Sequence, residues 1–145
     1  MNYNQSNNNL SSDNRIILPK IDYSNLKIVY VDDVGMNREI VNDYLRLMGI
    51  EYINSFENPL DAIKFIKSHD GSIDLLITDH SMPGCTGDIV AKIFKEKFSS
   101  SPVMVHSSSG KGIKRAYSNE ISPVFAAKPS DFKQFKNYLD QTLNS

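Results

Sequence analysis

Short apolar runs alternate with amphipathic stretches along residues 26–143. The apolar runs predict five strands, at residues 27–31, 51–55, 73–78, 103–106 and 124–127. Continuous apolar runs bounded by turn residues are typical of buried parallel strands. Between them, apolar residues at helical spacing predict helices. Since strand and helix alternate five times, the pattern predicts an α/β fold, a parallel sheet with helices on both faces.

The helical stripes also predict which side of each helix is buried. We expect the first helix, 35–48, to bury Met36, Ile40, Tyr44 and Leu47. The inward residues expected of the later helices are Ala62, Ile63, Ile66, Ile89, Val90, Ile93, Phe94, Phe132, Phe135 and Leu139. Asn58 before Pro59 predicts the start of the second helix, and Ser130 is the expected N-cap of the last. A weakly patterned short helix is expected at 113–118.

The first 25 residues lack this pattern. Residues 1–14 contain six Asn, one Gln and three Ser. Such a segment buries too little apolar surface to offset the entropy lost on ordering. The sequence therefore predicts a flexible Asn/Ser-rich tail at 1–25 and a single domain over 26–145.

Composition narrows the class of protein. The net charge of −1 gives no general case for nucleic-acid binding. Cys85 is the only cysteine, which excludes an intrachain disulfide and fits a reducing cytoplasm. No apolar run approaches the ~18 residues of a transmembrane helix. We therefore expect a cytoplasmic location without a membrane partner.

Polar side chains follow four of the five predicted strands. Asp32 and Asp33 follow the first strand, Asp79 the third, Ser107 the fourth and Lys128 the fifth. Ligands of open parallel sheets bind at the carboxyl edge, where these strand ends meet. The sequence therefore predicts that three carboxylates, a hydroxyl and an ammonium group converge there.

This set of groups favours phosphoryl chemistry. Three clustered carboxylates repel one another unless a cation lies among them, and Mg²⁺ prefers such oxygen ligands. Between Mg²⁺ and Lys128, the Asp79 carboxylate is suited to attack phosphorus, because both cations stabilise charge on the transferring group. The Ser107 hydroxyl is a candidate donor to a phosphoryl oxygen.

The chain resembles the receiver domain of two-component response regulators, the CheY-like family, over residues 26–143. The resemblance lies in four motifs at predicted strand ends: VDD at 31–33, ITDHSMPG at 77–84, PVMVHSS at 102–108 and KP at 128–129. It implies a flavodoxin-like doubly wound sheet with strand order 2-1-3-4-5. It also implies that the bond between Lys128 and Pro129 is cis.

The resemblance further implies a role for each matching residue. Asp79 accepts phosphate from a phosphohistidine, and Lys128 pairs with the phosphoryl group. Asp32, Asp33 and Asp79 hold Mg²⁺ with the backbone carbonyl of Ser81. Ser107 and Phe125 form the switch, although a plain loop hydroxyl and a core aromatic are alternatives for them. No enzyme activity is implied beyond Mg²⁺-assisted self-phosphorylation and slow self-dephosphorylation.

The implied partners are a histidine kinase or a histidine phosphotransfer protein, and a downstream protein target. Residues 33–39 resemble receivers attached to hybrid histidine kinases, which favours a phosphorelay. One rival hypothesis is a receiver-like interaction module that is never phosphorylated. Another is an aspartate-nucleophile phosphohydrolase, which needs an acid two residues after Asp79, where this chain has Ser81.

Overall fold

The computed structural model describes residues 21–108 and 112–145, and these form one five-stranded sheet. The strands are β1 (Lys27–Val31), β2 (Tyr52–Phe56), β3 (Leu75–Thr78), β4 (Val103–Ser107) and β5 (Val124–Ala127). All paired strands are parallel, in the order β2-β1-β3-β4-β5. The predicted fold class and strand order are confirmed.

The described residues contain four α-helices, namely α1 (Gly35–Leu47), α2 (Pro59–Ser68), α3 (Gly87–Lys97) and α4 (Phe132–Leu143). The helix expected at 113–118 is instead a short 3₁₀ helix, Ile113–Ala116. Asn58 caps α2 as expected, because its side chain accepts a hydrogen bond from the Leu60 N–H. The bounds of the other elements differ from the predicted ones by at most two residues.

Two apolar clusters lie on opposite faces of the sheet. Along β1, Val29 and Val31 belong to one cluster, and Ile28 and Tyr30 to the other, as the alternation of side chains along a strand requires. The first cluster is covered by α2 and α3, through Ala62, Ile66, Val90 and Phe94. The second is covered by α1 and α4, through Val41, Leu45, Phe135 and Leu139. The expected helices on both faces are therefore present.

The predicted inward face of α1 is wrong for three of its four residues; the fourth, Tyr44, is half-buried and packs against the second cluster. Met36 and Leu47 are each 72% exposed, and Ile40 is 42% exposed, whereas Val41 and Leu45 are buried. Apolar residues occupy two adjacent stripes of this helix, and the packing of α1 on β1 and α4 selects the stripe one residue further along.

Two smaller expectations also fail. Ile89 is 46% exposed, because Val90 and Ala91 take the buried side of α3. The N-cap of α4 is Asp131 rather than Ser130. The Asp131 side chain accepts from the Gln134 N–H at 2.8 Å, and the Gln134 side chain accepts from the Asp131 N–H at 2.9 Å. This capping box satisfies two groups at once, which Ser130 cannot do one residue earlier.

Most of the predicted tail, residues 1–20, lies outside the described residues. Tyr23, within the predicted tail, donates a hydrogen bond to Asp140 of α4 and packs at the border of the second cluster. Among the described residues, the longest helices are too short and too polar to cross a bilayer.

Candidate functional site

Backbone hydrogen bonds hold three site residues at the carboxyl edge of the sheet. The N–H of Asp32 donates to the Phe56 carbonyl at 3.1 Å, and the N–H of Asp79 to the Val31 carbonyl at 2.9 Å. The N–H of Lys128 donates to the Ser107 carbonyl at 3.1 Å. Each bond extends the parallel ladder by one step, so the positions of these residues are set by the sheet itself.

Lys128 lies between two of the acids. Its Nζ is 2.6 Å from Asp32 Oδ2 and 3.2 Å from Asp79 Oδ2. The Lys128 side chain is 9% exposed, Asp32 is fully buried and Asp79 is 8% exposed. Charges this far from water interact strongly and need an opposite charge nearby. The structure thus brings together Asp32, Asp79 and Lys128, from β-strands far apart in sequence.

The third acid, Asp33, joins the same cluster. Asp32, Asp33 and Asp79 each offer a carboxylate oxygen, and these oxygens lie within 4.8 Å of one another. One ammonium group cannot balance three carboxylates, so the cluster keeps an excess negative charge. Hard oxygen donors at this spacing, on a partly buried site, fit Mg²⁺.

Asp32 has further partners that the sequence reasoning missed. Its Oδ1 accepts from the Val34 N–H at 3.0 Å, and the hydroxyl of the buried Tyr30 donates to Oδ2 at 3.3 Å. Burial, with the nearby Asp32 charge, raises the pKa of Tyr30, so its hydroxyl stays protonated. The guanidinium of Arg38 donates to the Asp32 carbonyl at 2.8 Å. Tyr30 lies in β1 and Asp32 directly follows it, and this two-residue spacing is the signal that puts both side chains on one side.

Three hydrogen bonds hold Asp79 and the start of the loop that follows it. The His80 N–H donates to Asp79 Oδ1 at 2.7 Å, and the Thr78 hydroxyl donates to the Asp79 carbonyl at 2.8 Å. The Gly87 N–H donates to the His80 carbonyl at 2.8 Å. One Asp79 oxygen therefore faces an amide and the other faces Lys128.

The remaining predicted site residues are one at a strand end, one within a strand and one in a loop. Ser107 ends β4 and is 6% exposed. Phe125 is half-buried in β5, and its ring meets the Tyr117 ring edge-on with centroids 5.5 Å apart. Ser81 is exposed in the loop after Asp79. The bond between Lys128 and Pro129 is cis, as the resemblance implied.

His106, one residue before Ser107, is 4% exposed. Neither of its ring nitrogens has a hydrogen-bond partner among the described residues. Burial and then the charge of Lys128 lower its pKa to about 4. At neutral pH this imidazole is therefore uncharged, and it packs edge-on against Phe135 with ring centroids 5.4 Å apart.

A five-stranded parallel sheet with three acids and one lysine at its carboxyl edge defines a receiver-type fold. The family model described as the response regulator receiver domain matches residues 28–140. The chain belongs to this family.

Similar proteins agree with this assignment. The chain is 36% identical over 63 residues to chemotaxis protein CheY-3 of Vibrio cholerae, covering 43% of this chain and 47% of that protein. It is 28% identical over 141 residues to the two-component response regulator ARR3 of Arabidopsis thaliana, covering 86% of this chain and 60% of that protein. The matched stretches thus span about half of these relatives' length.

A solved structure matches over most of the fold. Response regulator protein TrrA of Thermotoga maritima, in complex with Mg²⁺-BeF, has a TM-score of 0.66 and 26% identity. The match covers 81% of this chain and 99% of that one.

Proposed function

We propose that this chain is a phosphoacceptor of a two-component or phosphorelay system, and that Asp79 takes the phosphoryl group from a phosphohistidine. The observation that carries the proposal is the position of Lys128, whose Nζ is within 3.2 Å of carboxylate oxygens of both Asp32 and Asp79. The family match and the acid cluster support it. The role is that of a phosphorylated switch rather than of a turnover enzyme.

Asp32, Asp33 and Asp79 are the proposed ligands of Mg²⁺, with the backbone carbonyl of Ser81. The spacing of their carboxylate oxygens, within 4.8 Å, and the Mg²⁺ in the TrrA complex support this choice. When bound, Mg²⁺ supplies positive charge to the phosphoryl oxygens as negative charge builds on them.

The nucleophile of the proposed transfer is the Asp79 carboxylate. An Asp79 oxygen forms the new P–O bond, the P–N bond of the phosphohistidine breaks, and the imidazole nitrogen keeps the electron pair. Lys128, next to Asp79 Oδ2, neutralises charge on the transferring group. The His80 N–H fixes the other carboxylate oxygen at 2.7 Å, so the nucleophile is oriented before the donor arrives. Slow self-dephosphorylation by water completes the proposed cycle.

Ser107 and Phe125 are the proposed switch residues. Ser107 ends the strand next to β3 and is adjacent in the ladder to Lys128, through its carbonyl. A phosphoryl group adds charge and strong acceptor oxygens, which a hydroxyl at this edge can approach. Phe125 is half-buried on the next strand, where its ring contacts Tyr117 and Lys114.

The proposed phosphate donor is a histidine kinase or a histidine phosphotransfer protein in the cytoplasm. Apolar side chains are exposed where three helices begin, each after the carboxyl end of a strand, and this supports a protein donor. They are Val34, directly before α1, and Met36, Leu60 and Ile89, in the first turns of α1, α2 and α3. A cavity of about 310 Å³ also opens beside Lys128, between α1 and Pro129. Exposed apolar patches of this kind mark interaction sites. A downstream protein that reads the phosphorylated form is part of the same proposal.

The test is phosphorylation with acetyl phosphate and Mg²⁺, read by intact mass. Wild type should gain one phosphoryl group, and Asp79→Asn should gain none. Asp74→Asn is the matched control, since Asp74 lies just before β3 and Asp79 just after it. Asp74 accepts from the Lys27 N–H, which an asparagine oxygen can also do. An unmodified wild type would instead favour the interaction module that is never phosphorylated.

A further inference from the structure

The imidazole of His80 connects the loop after Asp79 to a second part of the molecule. Its Nδ1 is 3.0 Å from the hydroxyl oxygen of Tyr117, which directly follows the 3₁₀ helix Ile113–Ala116. The same nitrogen is 3.9 Å from Asp88 Oδ1. The main-chain N–H of His80 meanwhile donates to Asp79 Oδ1. One residue therefore touches both the proposed phosphoacceptor and Tyr117.

Tyr117 is placed to respond to His80. It is only 7% exposed and belongs to the core cluster under α2 and α3. Burial and the charges of Asp88 and Asp79 raise its pKa, so the hydroxyl keeps its proton. A protonated hydroxyl with its ring held in the core is a directional partner for the imidazole.

The ring of Tyr117 in turn contacts Phe125. The two ring centroids are 5.5 Å apart and the planes cross at 78°, an edge-on contact. The half-buried Phe125 ring also meets the exposed Lys114, whose Nζ lies 5.4 Å from the ring centroid. A displacement of Tyr117 therefore changes the space available to Phe125 and to the exposed 3₁₀ helix that carries Lys114.

We propose that Tyr117 is a positioning residue that transmits phosphorylation of Asp79 to Phe125 through His80. This inference rests on the proposed function. A phosphoryl group on Asp79 removes the carboxylate charge that the His80 N–H now faces, so the hydrogen bond at Asp79 Oδ1 must change. Because the His80 ring is hydrogen-bonded to the Tyr117 hydroxyl, a movement of His80 displaces the Tyr117 ring and then Phe125.

This route differs from the switch through Ser107, because Ser107 is not one of the residues in contact along it. The contacts run from His80 to Tyr117 and on to Phe125 of β5, and none of these residues belongs to β4. Packed aromatic groups transmit a displacement when they have two discrete arrangements, and only a coupling measurement can demonstrate that. The experiment therefore measures coupling between named side chains.

The experiment uses the full chain and amide NMR, with beryllofluoride and Mg²⁺ as the probe of the phosphorylated state. Wild type should show shift changes at the site and in residues 112–127. Tyr117→Phe removes one oxygen atom and should still bind the probe, but the changes in residues 112–127 should fall to a small fraction of wild type. Tyr23→Phe is the matched control, because the Tyr23 hydroxyl bonds Asp140 of α4 instead.

His80 variants separate the hydrogen bond from general packing. His80→Ala should reproduce the Tyr117→Phe result, and the double variant should be no worse than either single one. His80→Asn should restore the transmitted shifts, since the Asn side chain has a polar atom near the position of Nδ1. A structural role alone would not give this rescue.

The outcomes are distinguishable. If Tyr117→Phe shows shift changes in residues 112–127 as large as those of wild type, the inference is overturned and the proposed function stands. The same holds if the double variant loses as much of these shift changes as the two single variants together. Failure of wild type itself to bind beryllofluoride overturns the proposed function, and the transmission with it.

Discussion

Gly87, the first residue of α3, packs directly against the backbone carbonyl of Asp79. A methyl group on Gly87 would overlap the Asp79 carbonyl oxygen and lie 2.7 Å from the Tyr117 hydroxyl. The Gly87 N–H also donates to the His80 carbonyl. The start of α3 thus fixes the segment that carries the proposed phosphoacceptor, and it does so at a distance that only glycine permits.

Gly87→Ala should therefore lower the free energy of unfolding. Inserting a methyl group into a packed site without space costs about 1–3 kcal/mol. Urea unfolding followed by circular dichroism measures the change. Self-phosphorylation by acetyl phosphate should also slow, because the Asp79 backbone has to shift.

Gly35→Ala is the control for this prediction. Gly35 is also the first residue of a helix, but a methyl group there meets only Arg38 Nη2, at an ordinary 3.5 Å. Its effect on stability should stay within about 1 kcal/mol, the difference in helix propensity between Gly and Ala. Equal losses in the two variants would contradict a specific contact at Gly87.

Lys128→Met should destabilise the protein most when Mg²⁺ is absent. It leaves two buried carboxylates without their cation, and removing one partner of a buried pair costs about 3–5 kcal/mol. Added Mg²⁺ should recover part of this loss, because it neutralises the same acids. Urea titrations in EDTA and in Mg²⁺ measure both effects.

Lys136→Met provides the comparison, because Lys136 pairs with Asp140 at 2.8 Å on the surface, with the two side chains 41% and 25% exposed. Solvent screens this pair, so the cost should be at most about 1 kcal/mol. If Lys128→Met lowers the free energy of unfolding equally with and without Mg²⁺, Lys128 and Mg²⁺ do not neutralise the same acids.

His106→Leu should raise the free energy of unfolding, by about 1 kcal/mol or more, because a buried polar group without a partner costs about 1–3 kcal/mol. Leucine fills a similar volume against Phe135 and brings no polar atom. Thermal or urea unfolding at neutral pH measures the gain. His69→Leu serves as the control, since His69 is half-exposed at the end of α2 and should change stability little.

The free energy of unfolding should also fall as the pH drops from about 6.5 towards 4, because of His106. The pKa of His106 is about 4 in the folded protein, against 6.5 for an ordinary histidine. In this window the unfolded chain binds a proton that the folded chain does not, so lower pH favours unfolding, by up to about 2–3 kcal/mol. The difference between wild type and His106→Leu isolates this component from the carboxylates. If the free energy of unfolding has the same pH dependence in both proteins, the His106 contribution is excluded.

The buried strands and the chemical groups at their ends were predictable from the sequence. A parallel strand buried on both faces must be a continuous apolar run, so β1, β3 and β4 are visible without tertiary information. The same geometry brings the strand ends to one edge, which is why Asp32, Asp79 and Lys128 could be grouped before any distance was known.

The faces of the helices were less predictable. In α1, both the stripe containing Met36 and the stripe containing Val41 are apolar at helical spacing, and periodicity alone does not rank them. Met36, Ile40 and Leu47 remain exposed, because apolar side chains also make up much of the surface of a folded protein. The cap of α4 depended on a reciprocal contact between Asp131 and Gln134, which the prediction of Ser130 overlooked.

The sequence by itself determined the order of the strands along the chain, the burial of β1, β3 and β4, and the acids and lysine at the strand ends. These features follow from local composition and the alternation of elements. Only the tertiary structure decided which side chains meet. Tyr30 contacts Asp32 only two positions further along the chain, but Tyr117 reaches His80 across 37 positions. Contacts of that kind depend on how helices and loops pack onto the sheet, and no local pattern encodes that packing.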